Sequence, residues 1–352
     1  MSDFLTELRS ELLEAHAARR RSGRARRIVR ALESDTPRAL VAVTVVAALV
    51  VAVFVMRAMA PPPSASPRVV DVIRVGGYPT DAVLADGSIW LSDFAGRRVI
   101  RLLPSNRQVV GKIAVGGPPV AVTAGRGGVW VRTAVGDGGA VARVGSRGAT
   151  PVGNGSTLAA GAITVWAADV ELLPEGIHRI DAKTGRDAGL IPIPGVHSLA
   201  TGGEALWAVT GNGTVLRLDG RTGAVRARWP AIAISAGTAE VALAADADGA
   251  WVLRVAQGTD SQAIRLEGNR IARRLPIPES VRPPLAQAPD GLWSVSEDAV
   301  RHRFAAVRLD PRSGKVTARV DLGIRIPTAL LPVGHEVWAT ASDGTVTVIG
   351  DQ

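Results

Sequence analysis

The chain has 352 residues, 47% of them hydrophobic and 21% charged, which is too apolar a composition for an intrinsically disordered protein. It contains no cysteine, so disulfide bonds and thiolate metal sites are excluded. The net charge of +9 is divided between an arginine-rich N-terminus and a nearly balanced remainder, and no nucleic-acid partner is expected from it.

Residues 1–38 are predicted to be a cytoplasmic, arginine-rich amphipathic segment. Phe4, Leu5, Leu8 and Leu12 recur at helical spacing, and seven arginines follow between residues 19 and 30. One interpretation is a helix that docks onto a cytoplasmic partner. The other is a helix that lies on the bilayer, with its arginines on anionic lipid.

Residues 39–56 are predicted to form a transmembrane helix. Ala39–Met56 carries no charge, and a helix of that length spans roughly 27 Å, close to the thickness of a hydrocarbon core. A cleaved signal peptide is the alternative, because residues 58–60 resemble a cleavage site. The long apolar run and the long leader before it favour an uncleaved signal-anchor.

The arginine excess before the helix places the N-terminus in the cytoplasm and the C-terminus outside it. The predicted localisation is therefore the cell membrane, crossed once, with the lipid bilayer as one partner. Residues 57–67 form a proline-rich linker, which leads into a larger extracytoplasmic region.

Residues 68–352 contain a tryptophan at a nearly fixed period. The spacings between successive members are 40, 36, 41, 44, 42 and 45 residues, which is typical of propellers and solenoids. The seven residues are Trp90, Trp130, Trp166, Trp207, Trp251, Trp293 and Trp338. We interpret them as core residues between neighbouring repeats. Trp229 lies outside the period and is expected either to pack or to make a surface contact.

Each repeat consists of short apolar runs that are separated by turn residues. Glycine precedes nearly every periodic tryptophan, and the turn motif Asp-x-(Arg/Lys)-(Thr/Ser)-Gly occurs at Asp181–Gly185, Asp219–Gly223 and Asp310–Gly314. Each unit is therefore predicted to be a four-stranded antiparallel meander. Seven such units predict an all-β fold, a seven-bladed β-propeller over residues 68–352.

The two ends of this region predict how the ring closes. The last repeat stops after three strands, at residues 345–349, whereas residues 68–77 resemble the fourth strand of the first repeat, residues 109–117. We therefore expect the N-terminal strand to complete the last blade, which removes an exposed sheet edge.

The repeat pattern G-x-(I/V/L)-W…V-x-R-(I/L)-D-x-x-(T/S)-G resembles the YVTN and NHL-like propeller superfamily, which includes virginiamycin B lyase-like proteins. The overall plan is also similar to membrane-anchored propeller proteins of actinobacteria. This resemblance implies a WD-like propeller fold, which serves enzymes, sensors and scaffolds alike. Lyases of this type use His and Glu around a metal in the central channel, and only His335-Glu336 hints at such a pair.

No catalytic, cofactor-binding or metal-binding residue is predicted, and no cofactor is expected. The five histidines are scattered, and the sequence that begins at Asp246 lacks the later ligands of a calcium loop. Loops of unequal length and charge are the better candidates for a binding face. They are Asp93–Arg97, Gly136–Gly139 and Glu297–Arg303.

The leading functional hypothesis is a binding or sensing module that contacts an extracytoplasmic protein, glycan or small ligand. The alternative is an extracytoplasmic lyase or hydrolase with its site in the central channel. A purely structural platform is the third reading. A cluster of His, Glu and Asp at the channel mouth would favour the enzyme, and an arginine-lined or apolar face would favour binding.

The membrane topology can be tested with reporters fused to the C-terminus. The arginine asymmetry around Ala39–Met56 predicts activity of a periplasmic-type reporter and inactivity of one that works only in the cytoplasm. Recovery of a soluble form that begins at Pro61 would instead identify a cleaved signal peptide.

Overall fold

The computed structural model describes residues 66–125, 127–135, 138–145, 150–152, 157–169, 175–232, 238–256 and 261–351. The predicted cytoplasmic segment 1–38 and the predicted transmembrane helix Ala39–Met56 lie outside these ranges. Within them, no helix is long and apolar enough to cross a membrane.

The described region is built from 28 strands in seven four-stranded antiparallel sheets, so the predicted seven-bladed β-propeller is confirmed. The first strand in the chain, β1 (Arg68–Arg74), belongs to the last blade. Blade 1 comprises β2 (Pro79–Ala85), β3 (Ser88–Asp93), β4 (Arg98–Leu103) and β5 (Gln108–Ala114). Blade 2 comprises β6 (Pro119–Gly125), β7 (Gly128–Val135), β8 (Gly138–Arg143) and β9 (Thr150–Val152). Blade 3 comprises β10 (Leu158–Ala160), β11 (Thr164–Asp169), β12 (Gly176–Asp181) and β13 (Asp187–Ile191).

The remaining blades repeat this plan, and the last of them takes its fourth strand from β1. Blade 4 comprises β14 (Val196–Gly202), β15 (Ala205–Thr210), β16 (Val215–Asp219) and β17 (Val225–Trp229). Blade 5 comprises β18 (Thr238–Ala245), β19 (Gly249–Ala256), β20 (Gln262–Glu267) and β21 (Arg270–Pro276). Blade 6 comprises β22 (Val281–Ala288), β23 (Gly291–Asp298), β24 (Arg303–Leu309) and β25 (Val316–Gly323). Blade 7 comprises β26 (Pro327–Val333), β27 (Glu336–Ala341), β28 (Thr345–Gly350) and β1.

The periodic tryptophans occupy the second strand of each blade, and six of the seven pack against the next blade. Trp166, for example, is fully buried and contacts Leu206 and Leu218 of blade 4. Trp338 of blade 7 packs in the same way against Leu91 of blade 1, so the last interface matches the others. Trp90 of blade 1 is the member that remains partly exposed. The interpretation of these residues as core is confirmed for six of the seven.

Trp229 also packs: it is buried and stacks on Trp207, with ring centroids 5.7 Å apart. This settles the choice between packing and surface contact in favour of packing. Parallel stacking of two large rings adds to the apolar area that the interface between blades 4 and 5 removes from water.

In six blades an arginine on the third strand stands directly opposite the tryptophan. The pairs are Trp90–Arg101, Trp130–Arg143, Trp166–Arg179, Trp207–Arg217, Trp251–Arg265 and Trp293–Arg308. The Arg265 guanidinium lies 5.7 Å from the Trp251 ring, within cation–π range, while Asp246 accepts hydrogen bonds from both of its terminal nitrogens. In blade 7 Val348 stands opposite Trp338 instead.

The Asp-x-x-(Thr/Ser)-Gly motifs form the turns between third and fourth strands, as predicted. In blade 4 one carboxylate oxygen of Asp219 accepts hydrogen bonds from the backbone N–H groups of Arg221 and Thr222. Gly223 has a φ of +77°, and a Cβ atom there would lie 3.2 Å from the Trp166 ring of blade 3. Glycine is therefore needed both for the backbone conformation and for the close approach of two blades.

The ring closes as the sequence predicts, because β1 pairs antiparallel with β28 from Arg68–Gly350 to Arg74–Thr345. Two further contacts hold this closure. Arg107, in a turn of blade 1, forms ion pairs with Asp71 at 3.3 Å and with Glu336 at 2.9 Å, and so joins the first and last blades.

Loss of β1 should destabilise the whole ring. A chain that begins at Pro79 loses the β1–β28 pairing and the buried Val75, so its free energy of unfolding should fall by about 3 kcal/mol or more relative to a chain that begins at Arg68. Thermal melting of the two chains checks this, and equal melting temperatures would contradict the closure role.

Candidate functional site

The first strands of the blades contact one another in ring order and surround the central channel. Because every blade is a meander, its second-to-third-strand loop and its entry loop from the preceding blade lie on one face of the ring. We call this the mouth face; its described loops include residues 75–78, 94–97, 299–302, 324–326 and 342–344. The opposite side, the turn face, carries the remaining turns and the start of β1 at Arg68.

Four ionisable residues lie near the mouth-face ends of the inner strands: Asp81, His197, Glu240 and Arg282. Arg282 of blade 6 is the centre of a loose network, with its Nε atom 3.9 Å from a carboxylate oxygen of Glu240 in blade 5 and 3.9 Å from one of Glu297. Burial lowers the pKa of His197, which favours its neutral form. These groups make the channel mouth polar and of mixed charge.

Asp81 is the most perturbed of these groups. One oxygen of its carboxylate accepts the N–H of Ala82 at 2.8 Å, and the other accepts the N–H of Val122 in blade 2 at 3.0 Å. Burial raises its pKa to about 6, although both hydrogen bonds lower it. Asp81 therefore ties two inner strands together and titrates near neutral pH.

The described residues contain no group of three or more His, Asp and Glu placed to hold a metal ion. The histidines stay apart: His178 pairs with Asp187 on blade 3, and His302 lies in a mouth-face loop. Glu336 bonds the Trp338 indole and Arg107 rather than His335. His16 lies outside the described residues.

Asp93, which begins the first predicted binding loop, is a structural residue. Its side chain is fully buried, and its carboxylate accepts hydrogen bonds from the N–H groups of Tyr78 and Gly96 and from Nε of Arg98. These hydrogen bonds to a buried carboxylate fix the conformation of the loop 94–97. Residues 94–97 are all exposed, and Phe94 and Arg97 carry the large side chains of this loop.

An exposed apolar patch lies on the mouth face of blades 6, 7 and 1. Its five members and their exposed fractions are Val300 (90%), Ile324 (77%), Ile326 (55%), Tyr78 (41%) and Phe94 (41%). The first three are the most exposed large hydrophobic residues in the described region. We call these five residues the mouth patch. Large apolar side chains exposed together on one face are a feature of interaction sites on soluble domains.

Hydrogen bonds between the loops hold the mouth patch together. The Ser342 N–H donates to the Ile326 carbonyl at 3.0 Å, and the Gly344 carbonyl accepts the Val75 N–H at 2.9 Å. The Phe94 N–H donates to the Tyr78 carbonyl at 2.9 Å, and the two aromatic rings meet edge to face. The loop 299–302 lies beside 324–326, because Phe304 pairs with Gly323. The patch is thus built on linked loops rather than on separate flexible ones.

Three ion pairs flank the mouth patch on blades 6 and 7. Arg325 lies 3.4 Å from Asp343, Arg301 lies 3.6 Å from Asp298, and Arg303 pairs with Asp321. On the side of blade 1 the exposed Arg74 and Arg97 border the patch. The surface therefore offers apolar contact with a polar rim.

Two of the three predicted binding loops border this patch, although all three are shorter than predicted. In the loop Glu297–Arg303, strand pairing includes Glu297, Asp298 and Arg303. In the loop Gly136–Gly139, β8 begins at Gly138, and residues 136 and 137 lie outside the described ranges.

Sequence reasoning missed Tyr78, Ile324 and Ile326. The available signal was the segment Gly323-Ile-Arg-Ile-Pro327, which places two large apolar residues inside a loop.

The titration of Asp81 should appear in the stability of the propeller. Since its pKa in the folded state, about 6, exceeds the ordinary value of 3.8, the folded state binds the proton more tightly. This stabilisation is complete below pH 3.8 and is lost as the pH rises through 6. Between pH 4 and pH 7, the free energy of unfolding of the wild type, measured in urea, should therefore fall by about 2 kcal/mol relative to that of Asp81→Asn. An identical difference between the two proteins at both pH values would contradict this.

No known family model matches the chain, and no curated protein matches its sequence. Solved structures do resemble it. Virginiamycin B lyase from Staphylococcus aureus is 14% identical, with a TM-score of 0.60 over 80% of this chain and 98% of its own. The β-propeller domain of Cps50 (Swd1) from Myceliophteria thermophila is 12% identical, with a TM-score of 0.61 over 81% and 100%. Hydrazine synthase from Kuenenia stuttgartiensis is 18% identical, with a TM-score of 0.59 over 77% and 94%. At such identities the likeness is one of fold, shared by enzymes and by WD40-type domains.

Proposed function

We propose that this protein is a membrane-anchored, extracytoplasmic binding module that captures a protein partner through its mouth patch. The observation that carries the proposal is the concentration of the most exposed apolar side chains on linked loops of three consecutive blades. A pre-organised surface loses little conformational entropy when a partner binds, which favours affinity.

The chemistry of the mouth patch favours a protein over a glycan or a charged small ligand. Three of its five members are aliphatic, and the neighbouring arginines Arg301 and Arg325 are already paired with acids, so an apolar protein surface is the best complement. Tyr78 and Phe94 supply aromatic anchors at one end.

The membrane context of this proposal rests on Ala39–Met56 and on the arginines that precede it. Within the propeller, β1 starts at Arg68 on the turn face, which is the face opposite the mouth patch. Residues 1–38 remain a candidate contact for a cytoplasmic partner or for the inner surface of the bilayer.

The mouth patch can be tested with a double variant, Val300→Ser with Ile324→Ser. Both side chains are largely exposed, so stability should change by less than about 0.5 kcal/mol, whereas capture of the partner should fall at least tenfold. The measurement is quantitative recovery of the cross-linked partner from intact cells that express the full chain.

The matched control is Val110→Ser with Val225→Ser, which removes two exposed valines from outer strands far from the mouth face. This control should retain wild-type capture. Equal losses in both double variants would contradict the assignment of the mouth patch. Self-association that disappears with the patch variant, measured by sedimentation velocity, would replace the external partner with a second copy of this chain.

The second candidate function is an extracytoplasmic lyase or hydrolase that acts in the channel. Asp81 is the observation in its favour, because a carboxyl that titrates near pH 6 can exchange protons at neutral pH. His197 and Glu240 lie on other inner strands near the same end. Turnover of a substrate that is abolished by Asp81→Asn and by His197→Ala would move the assignment to this function.

A further inference from the structure

The outer strands of blades 4 and 5 differ in charge from those of the other blades. They carry five arginines and no acid: Arg226 and Arg228 on β17, and Arg270, Arg273 and Arg274 on β21. Elsewhere the described outer strands carry at most one net charge: Lys112 on β5, Asp187 on β13, Arg319 with Asp321 on β25, and Arg68 and Arg74 with Asp71 on β1. The near balance of charge in the propeller as a whole conceals this separation.

These arginines are exposed, and several are not neutralised. Arg226 pairs with Asp219 and Arg270 with Glu267, whereas Arg228 and Arg274 make no ion pair with any described residue. Arg273 donates to the carbonyl of Pro311, in a turn of blade 6. This contact makes the charged surface continuous between blades 5 and 6.

The same turn adds two exposed cations, Arg312 and Lys315. Its carboxylate, Asp310, is occupied by hydrogen bonds from its own turn, which are the main reason why its pKa is lowered, and the charges of Arg312 and Arg273 lower it further. The Asp310 carboxylate is therefore already hydrogen-bonded within its own turn. We call Arg228, Arg273, Arg274, Arg312 and Lys315 the arginine strip.

Protection of exposed sheet edges explains some of these charges but not their distribution. A charged outer strand discourages pairing with another chain, and one or two cations per edge suffice for that purpose. The outer strands of blades 1 and 3 each carry a single charged residue, whereas β21 alone carries three arginines. The clustering on adjacent blades therefore points to a ligand.

We propose that the arginine strip binds a flexible linear polyanion rich in phosphate groups. The strip extends over three of the seven blades and so follows a convex arc of the ring. A planar bilayer would touch only a part of such an arc, whereas a flexible chain can bend along it. Arginine guanidinium groups bind phosphate oxygens in pairs, which suits repeated contacts along a chain. This binding surface is separate from the mouth patch and independent of it.

The test uses the full chain in nanodiscs of zwitterionic lipid. Every protein also carries glutamine in place of the seven arginines of residues 19–30, so that this segment does not bind the probe. The probe is fluorescent inorganic polyphosphate, followed by anisotropy as a function of salt. The variant is Arg228→Gln with Arg273→Gln and Arg274→Gln. The matched control is Arg74→Gln with Lys112→Gln and Lys183→Gln, which removes the same charge from exposed, unpaired positions elsewhere in the described region.

We expect the strip variant to bind polyphosphate at least tenfold more weakly than wild type, while the affinity of the control changes less than twofold. The slope of the logarithm of the affinity against the logarithm of the salt concentration should become smaller by about 2 in the strip variant. A charge-conserving variant with lysine at the same three positions should stay within about threefold of wild type, and melting temperatures verify folding. Equal losses in the variant and the control would overturn the proposal, since binding would then follow net charge. Binding to phosphatidylglycerol vesicles that depends on the strip, without binding to polyphosphate, would overturn it in favour of a membrane.

Discussion

The packing of a tryptophan from one blade into the next, which occurs in six of the seven blades, is the interaction on which the rest of the structure depends. Each sheet has two apolar faces and cannot bury both by itself, so a blade is stable only between two neighbours. Trp166 and Trp338 illustrate the consequence, because the interface that closes the ring, between blades 7 and 1, uses the same contact as the interface between blades 3 and 4. The turn glycine Gly223 belongs to this constraint, since it allows one blade to approach the tryptophan of another.

This constraint also decides where recognition can occur. Second-strand positions are committed to the interfaces, and the aspartates of the strand-to-strand turns are committed to their own backbone. Two regions therefore remain available for binding. They are the mouth face, where loops vary between blades, and the outer strands, whose side chains face solvent at the edge of each sheet. The mouth patch and the arginine strip occupy these two regions. They differ in chemistry, since one is apolar and the other cationic, so they suit different ligands.

The sequence predicted features that repeat or that act locally. The period of the tryptophans predicted seven blades, and the likeness of residues 68–77 to residues 109–117 predicted the closure. The turn chemistry of Asp219–Gly223 was predictable because it is contained within five residues. The mouth patch was not, because Tyr78 and Ile324 are far apart in the chain and share a face only because the ring closes. The arginine opposite six of the seven tryptophans stood in the repeat pattern, but its partner could be known only from strand register.

The closure of the ring has a consequence for the order in which the protein is made. Strand β1 is the first strand of the propeller to be synthesised, and its partner β28 is the last. All the other strands are therefore made while β1 has no partner, and the final blade cannot assemble until the end of the chain has emerged. A product of premature termination would lack β28 and leave both β1 and the face of blade 1 that receives Trp338 uncovered. Completeness of translation is thus a condition for a closed ring, and an interrupted chain presents the apolar surface that chaperones and proteases recognise.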